Sequence, residues 1–160
     1  MNYDSECEYY CDDCCCKNKQ EKPNATALRC GSPGFVAFPN LTGVDITRTI
    51  AELQVNLSGF ENPCILLSFT AKIVIGVAGN YRFQIFKECT GKSPVPVSGI
   101  YEYSRTVATT VTDTFNFNVC DCDSCMNDCC TYLVVVTFNV SPLIGGATLS
   151  AIVTDNGCQS

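Results

Sequence analysis

The chain has 160 residues, 46% of them hydrophobic and 16% charged, with a formal net charge of −6 and no histidine. That acidic balance speaks against a nucleic-acid or anionic-membrane partner, since phosphate binding needs clustered Lys and Arg. The missing histidine removes the usual general base, the Cys-His and Ser-His pairs, and every mixed His/Cys metal site.

Residues 1–29 read as an arm without a core of its own. Cys7, Cys11, Cys14, Cys15 and Cys16 crowd its start among Asp4, Glu6, Glu8, Asp12 and Asp13, and a polar linker with Lys17, Lys19, Glu21, Lys22 and Pro23 follows. The opening has neither a basic n-region nor an apolar h-region, so the expectation is neither signal peptide nor anchor. No apolar run approaches the roughly 20 residues that span a bilayer, so membrane insertion is not expected. Fully extended, the arm reaches about 95 Å at roughly 3.3 Å per residue. A body of this size is only about 35 to 40 Å across.

From residue 30 to 160 the chain alternates as strands do. The run Phe35 to Pro39 is followed by Ile46 to Ser58, with Leu53, Val55 and Leu57 inward. From Cys64 to Gly76, Ile65, Leu67, Phe69, Ala71, Ile73 and Ile75 share one face. Asn80 to Cys89 puts Tyr81, Phe83 and Ile85 inward, and Gly99 to Tyr103 adds a short edge strand. Val107 to Val119 places Val107, Thr109, Val111, Phe115, Phe117 and Val119 inward against a Thr/Asn face, with Asp113 as a charged interruption. Tyr132 to Val140 and Ala147 to Thr154 close the series. Gly43, Gly59, Asn62-Pro63, Gly76 to Asn80, Pro94, Pro96 and Gly145-Gly146 separate the runs. The expected fold is all-β: an eight-stranded jelly-roll-like β-sandwich carrying an extended N-terminal cysteine-rich arm.

Cys120, Cys122, Cys125, Cys129 and Cys130 fall in a cysteine-dense loop between two of the best strands, where local disulfides or an ion would hold so long a connection. Of the 14 cysteines, five lie in the arm and nine in the body. Both counts are odd, so a fully oxidised chain must link arm to body or chain to chain. Successive side chains of an extended backbone face opposite ways, so Cys14, Cys15 and Cys16 address two partner surfaces rather than one. The rival is a thiolate-metal protein: Cys122 and Cys125, like Cys11 and Cys14, have Cys-x-x-Cys spacing suited to zinc. The crowding of these cysteines favours disulfides, so no metal and no cofactor is assigned. Carboxylates such as Asp45, Glu52, Glu61, Glu88 and Glu102 are scattered and form no catalytic constellation, and an enzyme is not expected.

Cys30-Gly-Ser-Pro-Gly-Phe35, the cluster Cys120 to Cys130 running into Tyr-Leu-Val-Val-Val, and the alternating strands resemble a family of small cysteine-rich β-domain proteins from spore-forming clostridia. The resemblance covers most of residues 29–155. More distantly, a cysteine-bearing arm on a jelly-roll body is similar to the Ena-type subunits of bacterial endospore appendages, whose arm is disulfide-bonded to preceding subunits. Carried over by position, this implies Cys7, Cys11, Cys14, Cys15 and Cys16 as inter-subunit disulfide donors, with Cys30 and Cys158 as candidate acceptors. The arm here is longer and more acidic than in those subunits, and the Cys120 to Cys130 loop is additional.

The resulting expectation is a structural subunit that assembles with copies of itself into a disulfide-cross-linked extracellular fibre or surface layer on a bacterial spore. A spore-coat or exosporium anchor protein would be its further partner, and release by mother-cell lysis would supply the oxidising environment. The alternatives are the zinc-thiolate protein and a non-polymeric surface binding module.

Overall fold

The structure, a computed structural model, describes residues 26–31, 34–37, 43–58, 60, 63–76, 78–106, 109–122, 129–140 and 143–155. In chain order the strands are β1 (Thr26–Cys30), β2 (Gly34–Ala37), β3 (Ile46–Asn56), β4 (Pro63–Ile75), β5 (Gly79–Cys89), β6 (Val95–Pro96), β7 (Tyr101–Arg105), β8 (Val111–Asp121), β9 (Cys129–Phe138) and β10 (Leu143–Asp155). They form two sheets. One runs β1-β10-β4-β8 with β2 also on β10, and the other runs β3-β9-β5-β6 with β7 also on β5.

Among the described residues, ten strands occupy eight positions. β1 and β2 pair with successive stretches of β10, and β6 and β7 with successive stretches of β5, so each couple is one interrupted strand. The first position therefore pairs with the last, the second (β3) with β9, the third (β4) with β8, and the fourth (β5) with the fifth, all antiparallel. This is a long hairpin wrapped into two sheets, the jelly-roll arrangement expected from the alternation.

The inward faces follow the pattern that predicted them. Ile65, Leu67, Phe69, Ala71, Ile73 and Ile75 of β4 are buried, as are Leu53, Val55, Tyr81, Phe83 and Ile85 of β3 and β5. Burying such side chains contributes roughly 1.5 to 3 kcal/mol each, and this is the main force closing the sandwich. Between β7 and β8, the outer strands on one side, Tyr101 stacks on Phe117 at 4.1 Å and Phe115 lies 4.7 Å from Phe83. Asp113, the charged interruption of β8, is held there by the Tyr103 hydroxyl and by Arg105 at 3.3 Å. Its inward parity is thus explained by cross-sheet partners on β7.

The structure differs from the sequence expectation in three places. Strand pairing begins at Thr26 rather than at residue 30, because β1 continues the ladder of β10 beyond the stretch taken by β2. Thr109 is exposed instead of inward, since β8 starts only at Val111. Gly145-Gly146 does not separate strands. It forms a bulge inside β10, with Gly146 at φ 59°, and pairing with β2 and β4 resumes beyond it. A second bulge in β3, between Thr49 and Ala51, turns two consecutive residues inward, Ile50 and Ala51.

Tyr81 is fully buried, and its hydroxyl has no hydrogen-bond partner among the described residues. Burial, aided by neighbouring Tyr103, pushes its phenol above the ordinary value. The folded state thus favours the neutral phenol. Stability contributed this way is complete below about pH 10 and is lost as pH rises through the raised folded value. Tyr81→Phe is expected to leave neutral-pH stability unchanged or raise it by up to about 1 kcal/mol, and to delay alkaline unfolding. Urea titrations at neutral and alkaline pH would check this.

Candidate functional site

Most of the body's described cysteines gather at one end of the sandwich because antiparallel pairing brings strand starts against strand ends. β4 starts where β8 ends: Leu66 pairs with Cys120 and Ile65 with Asp121, which brings Cys64 to Cys122. These two are disulfide-bonded across a sequence separation of 58. β5 ends where β9 starts, and Cys89 pairs with Cys130, to which it is bonded across a separation of 41. Cys129 is disulfide-bonded as well. The first of these bonds lies on the outer face of its sheet and the second on the inner face of the other. Each joins neighbouring strands within a single sheet.

The expected loop cluster is therefore only partly a loop. Cys120 is on the outer face of β8, Cys122 follows that strand's end, and Cys129 and Cys130 open β9. Cys125 lies outside the described residues, as do Cys158 and the arm cysteines Cys7, Cys11, Cys14, Cys15 and Cys16. The partners Cys64 and Cys89 were absent from the expected cluster. The signal that could have found them is the jelly-roll order itself, which sets the start of the third strand beside the end of the sixth. With Cys122 bonded to Cys64, the Cys122/Cys125 spacing does not present two thiolates to a metal. Among the described residues no group of three or more Cys, Asp or Glu is placed to hold one.

Cys30 is different. It is an exposed free thiol at the end of β1, on the border of its sheet. Immediately after it, Gly31 donates its N–H to the Leu149 carbonyl at 2.8 Å, and a Cβ built there would stand 2.7 Å from the Glu52 carbonyl oxygen. Only glycine fits so close an approach to two backbones. The chain is thus pinned to the body immediately after β1. Cys120 is exposed near the opposite border of the same face. Register sets Cys30 level with Ser150, Ser68 and Asn118, two residues from Cys120. Strand spacing then separates the two by about 16 Å, far beyond the roughly 7 Å limit for a disulfide. Between them the sheet exposes Leu66 and Ile152, at 38% and 40%.

Beneath the cysteine end lies a polar group that the sequence reading did not single out. Lys87 of β5 and Asp121 of β8 are 6% and 5% exposed, with Nζ 2.8 Å from Oδ2. The fully buried Tyr132 of β9 donates its hydroxyl to the same oxygen at 2.7 Å. The signal was parity: Lys87 continues Tyr81, Phe83 and Ile85, and Asp121 continues Phe117 and Val119, both toward the interior.

On the outer face of the second sheet, Thr47, Arg82, Gln84, Phe86, Ile100, Val135 and Thr137 line a shallow groove of about 320 Å³. Its cation, Arg82, is bonded to Asp45 at 2.5 Å.

A family model described as "Domain of unknown function (DUF4489)" matches residues 24–154, which takes in every strand from β1 to all but the last residue of β10. The chain belongs to the DUF4489 family. The DUF4489 match leaves Cys7, Cys11, Cys14, Cys15, Cys16 and Cys158 outside it. A search of curated proteins finds no match. Among solved structures, the DUF4489 chain is similar to a chain in "Structure of infectious bursal disease virus Gx strain", with TM-score 0.55, 7% identity and 84% of this chain covered. It spans 33% of that viral chain, and at this identity the likeness concerns the fold alone.

Proposed function

We propose that this chain is a structural subunit that assembles with copies of itself into a disulfide-cross-linked fibre or surface layer, in the manner of a bacterial endospore appendage. The observation that carries the reading is the exposed free thiol of Cys30, on the border of a sheet and at the root of a five-cysteine arm. Of the body's other described cysteines, Cys64, Cys89, Cys122, Cys129 and Cys130 are already tied in disulfides, and Cys120 stands exposed near the far border of the same sheet. The arm's odd set of thiols then has a natural acceptor on a neighbouring copy. Cys30 accepts an arm cysteine, and the exposed Leu66 and Ile152 add apolar contact beside it. Oxidation locks contacts that packing has already made. On this reading the chain has no substrate and no turnover, and the spore surface is where such a polymer would stand.

The disulfides already present in the body favour this reading over the zinc-thiolate alternative, which needs thiolates. Electron microscopy of the purified protein, with denaturing gels run with and without reductant, tests it. Filaments that enter the gel only after reduction are the expected result. A monomer band under both conditions, with one zinc per chain by elemental analysis, would replace it with the metal reading.

A further inference from the structure

We propose that Lys87 and Asp121 are the site of a self-forming amide cross-link that joins the two sheets of the sandwich covalently. Among the described residues these are the only charged side chains in the buried set. Charged groups are almost never buried unless paired, and a buried ion pair bears a desolvation cost that its attraction only partly offsets. Converting it to a neutral amide removes both charges while keeping the contact. The geometry is that of reactants already assembled. Lys87 Nζ lies 2.8 Å from Asp121 Oδ2, so the carboxyl carbon is one bond further on. Holding an amine and a carboxyl in one orientation replaces a slow bimolecular encounter by an effectively unimolecular step.

The step balances within the pair and needs no co-reactant. One proton passes from the Lys87 ammonium to the Asp121 carboxylate, giving a neutral amine and a neutral acid. The nitrogen lone pair attacks Cγ and forms the N–C bond as the C=O electrons move onto oxygen. The acid hydroxyl then leaves with a second nitrogen proton as water, and the C=O re-forms. The product is a secondary amide with one N–H. The oxygen that takes the Lys87 proton is Oδ2, the one its Nζ touches, so Oδ2 leaves as water. The Tyr132 hydroxyl, 2.7 Å away, donates to that leaving oxygen, so Tyr132 is the catalytic residue of this step. The surrounding core, including fully buried Tyr132 and Ile65, keeps bulk water from competing for the donor.

The placement gives the bond a role that the described disulfides do not fill. Cys64–Cys122 staples β4 to β8 and Cys89–Cys130 staples β5 to β9, each within one sheet. Lys87 on β5 and Asp121 on β8 belong to different sheets. An amide between them would tie the sheets together at the cysteine end and, unlike a disulfide, would survive reduction. This inference does not depend on whether the chain polymerises.

The test is the intact mass of the full chain after denaturation, complete reduction and alkylation of every cysteine. The expected mass is lower than that of the sequence by one water. Proteolysis should then yield a branched peptide joining the segment with Lys87 to the segment with Asp121. Lys87→Arg keeps the positive charge but cannot form the amide, and its mass should be that of its sequence. An unmodified chain at full sequence mass overturns the proposal, as does a water loss that maps to any other residues. The unmodified chain decides the question even where the variant fails to fold.

Discussion

Replacing Cys7, Cys11, Cys14, Cys15 and Cys16 together by serine is expected to convert an assembly that resists denaturant without reductant into one that runs wholly as monomer under the same conditions. The body should be unaffected, because Cys64–Cys122 and Cys89–Cys130 are closed within the chain and do not involve the arm. The contrast with a body disulfide makes the result decisive. Closing loops of 41 and 58 residues in the unfolded chain is worth about 4 kcal/mol each in the chain-entropy account. Cys89→Ser with Cys130→Ser should therefore lower the unfolding midpoint by that order while the oxidised polymer still fails to enter the gel. The arm variant should do the reverse, abolishing covalent linkage with circular dichroism and melting of the body unchanged. Cys30→Ser should resemble the arm variant if Cys30 is an acceptor. An arm variant whose polymer resists denaturant as before would sink the fibre mechanism.

The fold was legible because the core is one-sided along long strands. In β4, six alternate residues from Ile65 to Ile75 are buried, and no other period fits them. β1 was not legible for the opposite reason. Thr26 to Cys30 is short, follows a polar linker, and is held mainly by its ladder with β10, a partner more than a hundred residues away in sequence. The Gly145-Gly146 pair read as a turn because glycine marks turns and bulges alike, and only the partners on β2 and β4 distinguish them.

The site was less legible than the fold because its chemistry is non-local. The sequence grouped Cys120 to Cys130 by proximity along the chain, yet Cys122 and Cys130 pair with Cys64 and Cys89, which lie at the ends of other strands. Knowing the strands was insufficient without their order. Lys87 and Asp121 show the same limit: each has the parity of a core position, but nothing local says that the two meet across the sandwich. Cys30, by contrast, was singled out from its place at the body's start, and the structure finds it exposed and free.

Lys87→Met is expected to destabilise the body by about 3 to 5 kcal/mol, the usual cost of removing one partner of a buried ion pair. Met matches the length of the Lys stem and fills its space, so the loss is electrostatic rather than a cavity. It leaves the Asp121 carboxylate, 5% exposed, with the Tyr132 hydroxyl as its remaining described partner. Against a typical domain stability of about 5 to 15 kcal/mol, that is a large share. Adding Asp121→Leu should restore much of it, because replacing both members of a buried pair by apolar groups is often nearly neutral. The coupling between the two changes, read from urea midpoints of the four chains in a double-mutant cycle, should therefore be large and favourable. A cost below about 1 kcal/mol for Lys87→Met would mean that the pair is solvated in solution, as surface ion pairs are. If Lys87 and Asp121 are joined by an amide in the unmodified chain, the cycle acquires a further signature. The unmodified chain would then unfold with its two sheets still tethered, expose less surface, and show a smaller urea slope than any of the three variants. A plain ion pair changes midpoints and leaves the slope alone, so one set of titrations measures the pair's strength and reports whether it is a bond.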